Sequence, residues 1–172
     1  MPESTFNLTT NQKAARKLMV TAVDVGTSSA PSYEVIGAGI EDSSIEYNPE
    51  VNTVTDILGI TETSVDKTEP KQSFEPFTVR GGSVLAEKLY NQMREGKLTE
   101  LSLYNVLVIH GFAGTAGSYK AELHKNCTIV VNSIGGSAHV DMPIEINFSN
   151  DKTLGTVDVT TGTITFTPAV SV

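Results

Sequence analysis

The sequence predicts a mainly β fold, a β-sandwich or barrel with one flanking α-helix (fold class mainly β), on three observations. Short runs rich in Val, Ile and Thr recur at close intervals between Gly, Pro, Asn and Asp. A single segment, Ser83 to Glu95, carries apolar residues at helical spacing. No run is apolar for long enough to cross a bilayer as a helix. At 172 residues the chain suits one domain with a sizeable core, and with no Trp that core must rest on Val, Ile and Leu.

The elements follow in order. Met1 to Lys17 is polar, with its basic residues at the end and no following signal-peptide pattern, so it reads as a flexible arm ahead of a single domain over 18–172. Lys17 to Val25 and Tyr33 to Ile40 read as the first two strands. The region 44–68 reads as a hairpin, with Asn48-Pro49-Glu50 as its turn and Thr-rich arms. Gln72 to Val79 is a further strand whose Pro76 marks an edge or bulge. In the helix over 83–95, Leu85, Ala86, Leu89, Tyr90 and Met93 form the stripe expected to pack on a sheet, with Ser83 as N-cap and Gly96 as stop. Tyr104 to His110 is almost continuously apolar and predicts a strand buried on both faces. Tyr119 to Val131 is another strand. His139 to Phe148 alternates, with Val140, Met142, Ile144, Ile146 and Phe148 on one side. Val157 to Phe166 predicts a hairpin around Thr161-Gly162.

The net charge of −8 is localised. Between Glu34 and Glu75 acids recur and only Lys67 and Lys71 oppose them, while the rest of the chain is balanced. From Ser44 to Thr68 the acids Glu46, Glu50, Asp56, Glu62 and Asp66 all fall on even positions, so a regular strand would set them on one face; a turn or bulge would break that parity. A solvated acidic face is the plainer meaning of such a run. It argues against nucleic-acid binding by phosphate neutralisation.

Catalytic chemistry is thin. His110, His124 and His139 lie far apart with no metal-ligand spacing, and Cys127 within "NCTIVV" reads as a buried, inert thiol. A lone cysteine also excludes an intramolecular disulfide and fits folding in a reducing cytoplasm. Arg80-Gly81-Gly82-Ser83 lacks phosphate-loop spacing, and Gly135-Gly136-Ser137 reads as a turn. No catalytic, metal or cofactor constellation is predicted, and the chain reads as a non-enzyme.

Two long runs carry a resemblance. "PSYEVIGAGIEDSSIEYNPEVNTVTDILGITETSVDKTEPKQSFEPFTVRGGSVLAEKLY" and "AELHKNCTIVVNSIGGSAHVDMPIEINFSNDKTLGTVDV" resemble the major tail protein, or tail tube protein, of long-tailed, siphovirus-like bacteriophages. That resemblance implies a structural virion protein, made in the host cytoplasm, whose hexameric rings stack into the tail tube. Its implied partners are further copies of itself, the tape measure protein, and tail terminator and tail-tip proteins; DNA transits without specific binding and no membrane is involved. It also implies that hairpins of neighbouring subunits join to wall the lumen. On that reading the lumen-lining candidates are Glu46, Glu50, Asp56, Glu62 and Asp66, the inter-subunit strand candidates are Thr53, Thr55, Thr61 and Thr63, and the core-packing helix residues are Leu85, Leu89, Tyr90 and Met93. An anionic wall would repel DNA and keep its passage free of tight contacts. The competing reading is a monomeric immunoglobulin-like β-sandwich that serves as a binding or decoration module.

Overall fold

The computed structural model describes residues 6–169. In chain order its strands are β1 (Met19–Asp24), β2 (Tyr33–Ile36), β3 (Ile45–Glu46), β4 (Glu50–Thr55), β5 (Thr61–Lys67) and β6 (Lys71–Phe74), then β7 (Tyr104–Thr115), β8 (Ser118–Val131), β9 (Ile144–Asn147), β10 (Lys152–Asp158) and β11 (Thr165–Pro168). One α-helix, α1 (Val84–Glu95), and two short 3-10 turns complete the described elements. The mainly β class with a single flanking helix is therefore as the sequence predicts.

The pairing is antiparallel throughout, in the order β2-β1-β7-β8-β9-β6-β3, with β10 added along β8 and β11 along β10. β8 is where the sheet turns. Its first part pairs with β7 and β10, whereas Thr128–Val131 pairs with β9. Between them the register with β7 slips, from Val106 opposite His124 to Tyr104 opposite Cys127, and Asn126 sits at φ 55°. An extra residue in one strand bends it and deepens its twist. The result is a curled half-barrel in which β6 comes round to face β1.

The core follows from this curl. Val23, Val106, Val108, Ile129, Ile144 and Ile146 point into the concavity, and α1 closes it with Leu85, Ala86 and Leu89. Leu85 and Leu89 are fully buried, each contributing about 1.5–3 kcal/mol of apolar transfer. A second cluster, Leu107, Ile109, Ala121 and Val157, lies on the opposite side of β7 and β8. That accounts for the unbroken apolar run of β7: both its faces are covered. Where the two wings meet, the buried Thr21 hydroxyl donates to Gln72 Oε1 (2.8 Å), Gln72 Nε2 donates to Ser43 Oγ (3.1 Å), and Ser43 Oγ donates to the Ser73 carbonyl (2.7 Å).

The helix ends are set by side chains near and far. Ser83 Oγ accepts from the Ala86 amide (3.1 Å) and donates to Glu34 Oε1 (2.5 Å), while Glu34 Oε2 accepts from the Leu85 amide (2.9 Å). Glu34 of β2 thus completes the cap and places its charge at the positive end of the helix. Gly96 stops the helix in the left-handed region.

Several expectations are corrected. Tyr90 and Met93 are 44% and 41% exposed, outside the buried core. Tyr90 lies about 100° round the helix from Leu89, and Met93 lies in the last turn, near the end of the helix. Asn48-Pro49 does not close a hairpin. It joins β3, which pairs with β6, to β4, which pairs with β5. The strand expected over 72–79 ends at Phe74, and the alternating run 139–148 is a strand only from Ile144, leaving Val140 exposed. At the start of the described residues, Phe6 bridges Ala113 and its ring meets Phe112 at 5.8 Å, while the Asn7 amide donates to the Phe112 carbonyl (3.0 Å).

Candidate assembly surface

β4 and β5 form a separate two-stranded sheet in which every residue is exposed. Its turn is built by Asp56, whose Oδ1 accepts from the amides of Leu58 (2.8 Å) and Ile60 (2.9 Å). Gly59, at φ 78°, supplies the left-handed residue that the turn requires. Ile57 and Leu58 at the tip are 102% and 78% exposed.

The ladder fixes which backbone groups are free. The Asp56 amide donates to the Ile60 carbonyl (2.9 Å). Antiparallel pairs alternate between hydrogen-bonded and non-hydrogen-bonded, so Val54–Glu62 and Asn52–Ser64 are the bonded pairs. Thr53–Thr63 and Thr55–Thr61 are the non-bonded ones, and their N–H and C=O groups point out along the two hairpin edges. Their side chains approach accordingly, with hydroxyls 3.4 Å and 3.0 Å apart. Among the described residues no other strand pairs with either edge. The four threonines singled out from sequence therefore carry open ladder positions on both sides.

The two faces differ in charge. One carries Val51 opposite Val65, then the two threonine pairs, and no ionisable group. The other carries Glu50, Asn52, Val54, Glu62 and Ser64. A bulge beside Glu50 puts Lys67 opposite it, and the two pair at 3.3 Å, with Glu69 also on Lys67 at 3.0 Å. Lys67 Nζ is raised above its ordinary value by its hydrogen bonds to Glu69 and Glu50. Asp66, the bulge residue, accepts from Ser64 Oγ at 2.9 Å. Of the five carboxylates expected on one wall, Glu50, Glu62 and Asp66 share this face. Asp56 is taken up by the turn, and Glu46 lies off the hairpin in β3, opposite Lys71. The Thr/Val face does not pack against the body of the same chain: Val51 and Val65 are 58% and 61% exposed.

Elsewhere Cys127 is buried and two of the three histidines belong to one charged cluster. Burial pushes the Cys127 thiol up, away from the reactive thiolate. His110 and His124, distant in sequence, meet at Glu122: His124 Nε2 is 3.2 Å and His110 Nε2 3.8 Å from its carboxylate, with Lys152 Nζ at 3.7 Å. The imidazoles of His110 and His124 beside it hold the Glu122 carboxyl well below the usual carboxylate range, against the opposing effect of burial and with help from Lys152. Glu122 was missed in the sequence. Its i,i+2 spacing to His124 sets both on one strand face, but His110 and Lys152 reach it only through the register. His139 is exposed and apart from this cluster. Among the described residues no group of three or more His, Cys, Asp or Glu is placed to hold a metal ion. No helix there is long and apolar enough to cross a membrane.

Comparison with solved structures places this architecture. A sheath/tube terminator of an extracellular contractile injection system, PVC, in its extended state matches with a TM-score of 0.53 over 85% of this chain and 99% of that one, at 11% identity. The chain shares that terminator's fold. The tube-terminating cap of the anti-feeding prophage, AFP, matches with a TM-score of 0.51 over 91% of this chain and 99% of that one, at 12% identity. No protein-family model and no curated protein sequence matches the chain.

Proposed function

We propose that the chain is a non-enzymatic structural subunit of a phage-tail-like particle and that it polymerises as stacked rings into the tail tube. The observation that carries this reading is the β4–β5 hairpin, which offers open ladder positions at Thr53, Thr55, Thr61 and Thr63 on both edges. A lone exposed hairpin is an aggregation hazard, and a ring that pairs each edge with a neighbour removes it. The fold shared with two tube-end proteins supports a tail-associated role. In a hexameric ring the uncharged hairpin face would turn to the wall and the face bearing Glu50, Glu62 and Asp66 to the lumen. There it would house a tape measure protein and pass DNA without tight contact.

A second reading is a terminator or cap at the end of a tube, favoured by what the two similar structures are. Electron microscopy and sedimentation of the concentrated protein separate the two. Hollow tubes of stacked sixfold rings support the tube subunit, whereas single rings that bind only the ends of preformed tubes support the terminator. A persistent monomer that neither forms rings nor binds tube ends refutes both, in favour of a binding module.

A further inference from the structure

We propose that His124 is a protonation-controlled latch on the root of the β4–β5 hairpin, holding it when the imidazole is charged and loosening it on deprotonation. The inference goes beyond the assembly role and can be tested on the isolated chain.

His124 is 8% exposed at its side chain. Its Nε2 faces the Glu122 carboxylate (3.2 Å) and its Nδ1 faces the Ser149 carbonyl (3.4 Å). Both partners only accept hydrogen bonds, so a neutral ring can serve one of them and an imidazolium serves both. Glu122 is kept ionised in this setting, with Lys152 of β10 and His110 of β7 on the same carboxylate. Lys120 lies opposite His110 in the ladder. From the hairpin side, Tyr47 lines the adjoining cavity, with the Lys67–Glu69 ion pair nearby at the root.

The coupling route is a short relay of backbone bonds. The Ser149 carbonyl that faces His124 belongs to the residue after Phe148. The Phe148 amide donates to the Pro70 carbonyl (2.9 Å), and next along, the Glu69 amide donates to the Tyr47 carbonyl (2.9 Å). These two bonds tie the strand leaving the hairpin to the body and to the strand entering it. A cavity of about 110 Å³ lies between His124 and this root, lined by Tyr47, Thr68, Pro70 and Phe148. Room to move therefore exists where the relay ends, and β3–β6 pairing over two residues adds little restraint. With the proton present both His124 bonds are made. As pH rises through the imidazole titration, in the region of about pH 5 to 8, the ring loses one N–H. The one remaining N–H stays on the charged Glu122 carboxylate, the stronger acceptor, so the Ser149 bond is given up and the root loosens.

The test is NMR of the wild-type chain at low concentration from pH 5 to 8.5. Imidazole ¹⁵N shifts report the charge on His124, and hydrogen exchange corrected for intrinsic rate reports the amides of Glu69 and Phe148. The expected result is that their protection falls about fivefold as His124 loses its proton, the loss of one neutral hydrogen bond, while the Val108 amide in the core is unchanged. In His124→Gln that pH dependence disappears. Constant protection through the His124 titration in wild type overturns the latch, as does a folded His124→Gln chain that keeps the same pH dependence.

Discussion

The polar join between the wings of the half-barrel gives the sharpest test of the fold. Gln72 is 1% exposed and Thr21 4%, and they meet across a gap of 51 residues in sequence at 2.8 Å. Gln72→Leu keeps the volume but removes both side-chain hydrogen bonds, leaving the Thr21 hydroxyl buried without its acceptor. An unsatisfied buried group costs about 1–3 kcal/mol, whereas replacing both partners by apolar groups of like shape is nearly neutral. Thr21→Val alone likewise strands the Gln72 carbonyl. Each single variant should therefore lose about 1–3 kcal/mol. The double variant should lose clearly less than the two losses combined, giving a coupling energy of about 1–2 kcal/mol. Ser43 keeps its bond to the Ser73 carbonyl in all of them. Urea unfolding of the four proteins, with a common slope, measures the cycle. Additive losses would refute the reasoning, because they would mean that the pair does not act as one buried unit.

Three further outcomes follow from the same structure. Leu89→Ala should cost about 2–5 kcal/mol as a core cavity, against less than about 1 kcal/mol for the half-exposed Tyr90→Ala; equal losses by thermal unfolding would restore Tyr90 to the core. Glu122→Gln should destabilise by about 1–3 kcal/mol at pH 6 through the loss of charge-assisted bonds. Because the folded carboxyl is depressed, its contribution is present above its ordinary value of about 4.3 and is lost as pH falls further, so the gap to wild type should close on acidification; a gap that widens would contradict this. Thr55→Pro and Thr63→Pro remove outward donors without touching the hairpin's own bonded pairs, so the chain should fold with unchanged stability, to within about 1 kcal/mol, yet form no rings by electron microscopy. Normal rings from both variants would sink the edge-pairing proposal.

What could be read from sequence was set by local periodicity. The helix over 83–95, the doubly buried β7, the alternation ending at Phe148 and the threonine ladder all follow from side chains repeating at the period of their own backbone. The same arithmetic put Glu50, Glu62 and Asp66 on one hairpin face and failed for Asp56 and Glu46. Parity says nothing of where a turn falls, and the Asp56 carboxylate binds its own loop instead of standing on the strand. Tertiary structure decided the rest. The bulge at Asn126 curls the sheet, and only that curl brings Gln72 to Thr21. Strand register alone carries His110 and Lys152 to Glu122. Pairing β3 with β6 left β4 and β5, among the described residues, to pair only with each other, with open edges. A period records which way a side chain points relative to its neighbours in the chain. It does not record what lies opposite, because that depends on contacts across tens of residues that the chain makes only when it closes on itself.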